Sequence, residues 1–186
     1  MELQIGDRSV DLRWSTVVVA VAPGPTPASA AALLDRGADA VLITVDEAAG
    51  EPAWSAGDVP FCCAAHDVAT ARRALALGAS FVLVSDRVAA RALADLPPSV
   101  IVVTDSEAAA PAAPGETAGV PRLRDLRHTG DGSNGSDGAE LADVAAATLL
   151  DADTSVRVVL VDDPRPARHC ADLVETLRRE QAGVPT

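Results

Sequence analysis

Six short runs of β-branched and other apolar residues recur along the chain at nearly even spacing: Val17–Val21, Ala40–Val45, Val59–Ala64, Phe81–Val84, Val100–Val103 and Val156–Val161. Each run is continuous rather than alternating, which is how a strand covered on both faces reads. Helix-compatible stretches lie between them. Pro27–Asp35 stops at Gly37, Val68–Leu77 stops at Gly78, and Arg87–Leu96 stops at Pro97-Pro98; Ala139–Leu150 and Arg165–Glu180 follow near the end. Strand–helix alternation at roughly twenty residues per unit predicts parallel βαβ connections. Right-handed crossovers then leave either an open doubly wound sheet or a barrel, closed or incomplete.

Two regions break this rhythm. Met1–Leu12 alternates apolar and polar residues around Gly6-Asp7 and predicts an N-terminal β-hairpin. Ser106–Gly138 is long and biased in composition, and reads as a flexible linker within one domain spanning 1–186.

Charge narrows the choice of partners. The net charge is −12, and all 15 basic residues are arginine. An acidic surface repels phosphate backbones, and aromatics at 2% leave few platforms for stacking bases, so neither nucleic acid nor an anionic membrane is expected. No apolar run reaches about 18 residues, and the opening Met1–Gly6 lacks a basic n-region and an apolar h-region. The expected location is the cytoplasm. Cys62 and Cys63 are adjacent and would point to opposite faces of a strand, so with Cys170 they read as buried thiols.

The order of elements resembles dihydropteroate synthase, the pterin-binding (β/α)8 barrel of folate biosynthesis. Leu3–Leu12 is similar to that family's N-terminal hairpin, and Val17–Pro27 to its first strand and Asn-Val-Thr-Pro-Asp-Ser loop. Leu34–Leu42 matches the helix end, Gly-Ala-Asp turn and second strand. Val59–Ala79 keeps the spacing of the third strand, and Leu141–Leu177 resembles the last helix–strand–helix. The fold this implies is an incomplete or shortened TIM-like (β/α) barrel with parallel strands and an N-terminal hairpin. Members of the family are longer, and the missing part would fall at the linker, around the sixth and seventh strands.

The family's functional residues do not carry over with the resemblance. Its first-loop Asn falls on Ala22, its loop Asp on Thr26, and the Asp of its third strand on Ala64. The Asn after the fourth strand falls near Leu83. In the final Arg-x-His-Asp segment, Arg falls on Leu160 and His on Asp162, while Asp163 is retained. Displacing pyrophosphate needs cations and donors for the leaving phosphates, and each lost charged contact costs about 1.5–3 kcal/mol. The resemblance therefore implies a relative without catalytic residues. Because the family's last helices contribute to its dimer interface, it also implies a homodimer, or a heterodimer with an active synthase, through Ala139–Leu150 and Arg165–Glu180. An incomplete barrel would add a sheet edge and apolar surface to cover.

A second reading starts from the acids that follow the strands. Asp46, Asp86, Asp105 and Asp162-Asp163 would converge on one mouth in a parallel barrel, with His66 beside them. Such a mouth would bind a small ligand, and Mg²⁺ is the cation it would take; otherwise no cofactor is expected. Asp is equally a preferred N-cap, and each of these acids precedes a helix or turn. His66-Asp67 likewise reads as a loop residue and a cap for Val68–Leu77. No His-x-x-x-His or Cys-x-x-Cys spacing for zinc exists. Asp131–Gly138 fails as a calcium loop, because Gly135 and Ala142 occupy positions that need oxygen ligands.

Overall fold

A computed structural model describes residues 2–21, 24, 26–50, 54, 59–85, 93, 95–104, 121–127 and 156–183. The chain opens with strands β1 (Glu2–Ile5) and β2 (Arg8–Asp11), paired antiparallel with Leu3 opposite Val10. Seven parallel strands follow: β3 (Val17–Val21), β4 (Ala40–Ile43), β5 (Phe61–Ala65), β6 (Phe81–Val84), β7 (Ile101–Thr104), β8 (Arg122–Asp125) and β9 (Val156–Val161). Each pairs with the next, and β9 returns to β3 with Val17 opposite Val158, so the sheet closes into a barrel.

Closure explains the continuous apolar runs. Val17, Val19, Cys62, Phe81, Val102, Leu123 and Val158 share the barrel interior. Their neighbours Ala20, Val41, Phe61, Cys63 and Val82 pack outward in a second cluster. Both faces of these strands are therefore dry. Cys62 and Cys63 do divide between the two faces; burial pushes the Cys62 thiol well up and the Cys63 thiol to about 12. All three cysteines are buried and none is in a disulfide, and the raised thiol pKa values remove Cys62 and Cys63 as nucleophiles at neutral pH.

The hairpin plugs the N-terminal end of the barrel. Leu3, Ile5 and Leu12 are buried in the interior cluster, and Gly6, at φ 55°, makes the turn that lets them fold inward. The Gly6 amide donates to Ser80 Oγ at 2.9 Å, just before β6.

The helices begin on side-chain caps. Thr26 and Ser29 form a reciprocal capping box on α1 (Pro27–Asp35). Thr44 and Glu47 make the same exchange at α2 (Val45–Gly50), where the Glu47 amide donates to Thr44 Oγ1 at 3.2 Å and the Thr44 amide to Glu47 Oε2 at 2.7 Å. That box ends the strand at Ile43, two residues before the end expected from hydrophobicity. Asp67 caps α3 (Val68–Ala76), and Asp163 with Pro164 opens α4 (Pro164–Gln181). No helix among the described residues is long and apolar enough to cross a membrane.

The linker expectation is corrected over 122–125. β8 lies there and supplies the sixth barrel strand, so the sheet is shortened but closed, with no open edge to cover. Leu123 alone of its four residues is buried, between the half-buried Arg122 and Arg124, which gives too little apolar signal to mark a strand. The rest of the expected linker, apart from 121 and 126–127, lies outside the described residues, as does Ala139–Leu150; of Arg87–Leu96 only Leu93, Asp95 and Leu96 are described.

One junction ties the plug, the barrel and the last helix together. Asp39 Oδ2 accepts from the Val18 amide and from Arg168 Nη1, both at 2.9 Å, and Oδ1 accepts from Arg8 Nη2 at 3.3 Å. Gly37, at φ 102°, allows this approach: a Cβ there would sit 2.8 Å from Arg168 Cγ. Asp39→Ala leaves a half-buried guanidinium and a strand amide without their acceptor, a cost of about 2–4 kcal/mol in urea denaturation. Gly37→Ala adds left-handed strain of about 1–2 kcal/mol, before the displacement of Arg168 is counted.

The same junction makes stability depend on pH. Burial pushes the Asp39 carboxyl above its ordinary value of 3.8, outweighing the Val18 amide and the Arg168 and Arg8 guanidiniums. The folded chain therefore holds this proton more tightly than the unfolded chain. The linked contribution is full below pH 3.8 and is lost as pH rises through the folded value. Asp39→Asn abolishes this loss, so any advantage of the native protein over the variant shrinks as pH rises from about 4 through that window. Urea midpoints across the series check it; a constant difference contradicts the assignment.

Candidate functional site

The C-terminal ends of the barrel strands surround two adjoining clefts. The central one, of about 430 Å³, sits over the barrel interior, with Leu42, Leu83, Leu123 and Leu160 as its floor and walls. The outer one, of about 740 Å³, opens between the β4–α2 and β5–α3 connections beside Thr44, Glu47, Thr70 and Arg73. Leu42, Ala64 and His66 border both.

The acids expected to converge here separate into different roles. Asp46 lines the outer cleft from the first turn of α2, is exposed, and faces Arg73 at 3.7 Å. His66 lies on the shared rim with its side chain 82% exposed and Nε2 3.3 Å from Asp67 Oδ2. Asp67 is committed to capping: its Oδ1 accepts from the Thr70 amide at 2.6 Å, a bond that holds its carboxyl below the ordinary range. Asp163 is likewise a cap, accepting from the Arg165 amide at 3.1 Å and paired with Arg36 at 2.8 Å. Asp162 is exposed just beyond β9. Asp86 and Asp105 lie outside the described residues. Among the described residues, no group of three or more His, Cys, Asp or Glu side chains is placed to hold a metal ion.

The polar pair that reaches the central cleft, Asp125 and Arg127, was not among the residues expected from the sequence. β8 ends at Asp125, which faces the barrel axis two residues after Leu123. Arg127 Nε donates to Asp125 Oδ1 at 2.9 Å and Nη2 to Oδ2 at 2.5 Å, while the Arg127 amide donates to Oδ1 at 3.1 Å. This side-on fork raises the Arg127 pKa and holds the guanidinium over the cleft, half-buried. The Asp162 carboxylate acts on the same guanidinium from the neighbouring strand. Thr104 completes the wall, its hydroxyl donating to the Val84 carbonyl at 3.1 Å.

A signal for this pair does exist in the sequence. The tripeptide Asp-Leu-Arg occurs at both Asp11–Arg13 and Asp125–Arg127, and both copies fold alike. Arg13 Nη2 meets Asp11 Oδ2 at 2.6 Å, the Arg13 amide donates to Asp11 Oδ1 at 3.0 Å, and Leu12 is buried as Leu126 is. The Arg13 bond holds the Asp11 carboxyl at about 2. Each copy ends a strand by burying one leucine, Leu12 in the barrel interior and Leu126 against α4.

The positions matched to substrate-contacting residues are also at the mouth. Ala64 borders both clefts, and Leu83 and Leu160 border the central one. Thr26 is used as the α1 cap, and Ala22 lies outside the described residues. At these three positions the side chains lining the clefts are aliphatic.

No protein-family model and no curated protein sequence matches the chain. Solved structures do. Dihydropteroate synthase of Yersinia pestis superposes with a TM-score of 0.64 at 15% identity, over 96% of this chain and 99% of that one. The Burkholderia cenocepacia enzyme complexed with 7,8-dihydropteroate gives 0.64 at 16% identity, over 98% of each chain. The Thermus thermophilus enzyme in complex with 6HMPPP gives 0.60 at 20% identity, over 95% of this chain and all of that one. This chain has the fold of dihydropteroate synthase.

Proposed function

We propose that this protein is a dihydropteroate synthase-like barrel without that transferase activity, acting by association. The observation that carries the reading is the mouth itself, where Ala64, Leu83 and Leu160 stand at the strand ends assigned to substrate contact. Methyl groups neither neutralise a departing diphosphate nor pair with a heterocycle edge, and a buried polar ligand facing them would lose its hydrogen bonds. Incubation with the pterin diphosphate, p-aminobenzoate and Mg²⁺ should yield no dihydropteroate above the enzyme-free control. Turnover that follows the purified chain would overturn the reading.

Association is assigned to α4. Its inner face is buried through Ala167, Cys170, Ala171 and Val174, while Leu173 and Leu177 remain 54% and 44% exposed. They are the large hydrophobic side chains exposed among the described residues, one helical turn apart on one face. With the barrel closed, this face rather than a sheet edge supports the partner, a second copy or an active synthase of folate biosynthesis. Size-exclusion chromatography with light scattering should give a dimer at micromolar concentration. Leu173→Asp/Leu177→Asp should give a folded monomer with unchanged far-UV circular dichroism. A native monomer that also fails to join an active synthase on mixing would count against association.

A second reading is favoured by the central cleft and the guanidinium fixed above it: the mouth binds a small ligand other than the family's substrates. Pockets of roughly 300–1,000 Å³ with apolar walls and few polar groups suit such ligands.

A further inference from the structure

We propose that Arg127, positioned by Asp125, is the ligand-reading group of the central cleft and that it selects an uncharged, carbonyl-bearing ligand with an apolar body. The inference rests on the small-ligand reading of the mouth.

The guanidinium is fixed before any ligand arrives. Nε and Nη2 are both used on the Asp125 carboxylate, at 2.9 and 2.5 Å, and the Arg127 amide bonds the same carboxylate. Among the described residues Nη1 has no acceptor, so its two N–H groups remain for a ligand. A planar fork held this way loses little freedom when it binds, which is where much of the cost of a polar contact lies.

Location separates this fork from its twin. The Asp11–Arg13 fork has the same bonds, but Arg13 is 69% exposed, whereas the Arg127 side chain is 28% exposed and lines a cavity. The fork is thus a strand-ending device that becomes a recognition group where the strand ends on the barrel axis.

Charge sets the ligand class. Asp125 already neutralises Arg127, and Asp162 sits alongside, two residues past Leu160, the β9 partner of Asp125. A carboxylate or phosphate entering the cleft would meet a carboxylate on either side of the Arg127 guanidinium. A neutral carbonyl takes the Nη1 donors without that repulsion. The Leu42, Leu83, Leu123 and Leu160 walls take an apolar body, and the Thr104 hydroxyl, its proton given to Val84, offers an acceptor for an amide N–H.

Three probes of one shape test this: cyclohexanecarboxamide, cyclohexanecarboxylate and cyclohexylmethylammonium, titrated into the ¹⁵N-labelled protein and followed at the Ala64 and Leu123 amides. The carboxamide should bind at least about fivefold more tightly than the carboxylate. Arg127→Gln should weaken it on the order of tenfold, as expected for loss of a charge-assisted hydrogen bond. Asp125→Asn, which keeps the shape and removes one negative charge, should shift preference toward the carboxylate. Arg13→Gln removes the equivalent fork outside the cleft and should leave every probe unaffected. If the three probes bind alike, or the carboxamide survives Arg127→Gln in a protein whose spectrum is otherwise native, Arg127 is not the reader, although the mouth still binds ligands. If no probe moves either amide at millimolar concentration, the small-ligand reading falls, and this inference with it.

Discussion

The structure depends on the return of β9 to β3. Until Val17 pairs with Val158, β3 and β9 are two parallel edges with unpaired backbone groups. Once they pair, every barrel strand has two neighbours, and the interior becomes a core of seven inward-facing rows. Asp39 and Arg168 brace this seam from outside. Asp39 bonds the Val18 amide on β3, and Arg168 reaches it from α4, which packs over Val18, Val159 and Val161. Burial raises the Asp39 pKa despite two guanidiniums. The junction therefore fixes geometry at some electrostatic cost, as buried ion pairs commonly do.

What the sequence made legible follows from how many side chains signal each element. β3, β5, β6 and β9 are apolar at nearly every position because both faces are covered, so each stands out unaided. β8 shows one buried side chain in four residues, flanked by arginines. A single leucine is enough to fill one interior row of a closed barrel, but too little to be seen as a strand. Missing β8 also hid the site, because the local Asp125–Arg127 fork reaches the central cleft only where the strand end carries it. The acids that follow the strands left two roles open, ligand binding and capping. Asp67 and Asp163 resolve as caps, because a helix that starts on a strand end needs an acceptor for its first amides.

The mouth combines two tendencies that normally oppose each other. Aliphatic side chains at the ends of barrel strands extend the interior core upward and favour stability. Functional mouths carry polar groups there at a cost to the core. Here Ala64, Leu83 and Leu160 follow the first tendency, while β8 follows the second. Among the described residues the charged groups that line the central cleft beside His66 are Asp125 and Arg127, bonded to each other. On the reading proposed above, the Arg127 guanidinium is already paired with Asp125 rather than left to stabilise the negative charge that phosphate displacement builds up.

The repeated Asp-Leu-Arg tripeptide shows why local sequence stops short of function. Both copies solve the same local problem: a buried leucine after the strand, a carboxylate accepting the amide two residues on, and a guanidinium folded back against it. The local code is complete in each, and neither copy announces a site. At the plug, the strand end faces solvent, and the pair is a surface fork with little energetic consequence. On β8 the register with β7 and β9 brings Asp125 and Arg127 to the aliphatic walls of the central cleft, while Leu126 packs outside the barrel against α4. Chemistry here is assigned by long-range pairing: Val103 with Arg122, Asp125 with Leu160, Val158 with Val17. Closing the barrel and making the site are thus one event, and a chain that failed to seat β8 would lose both.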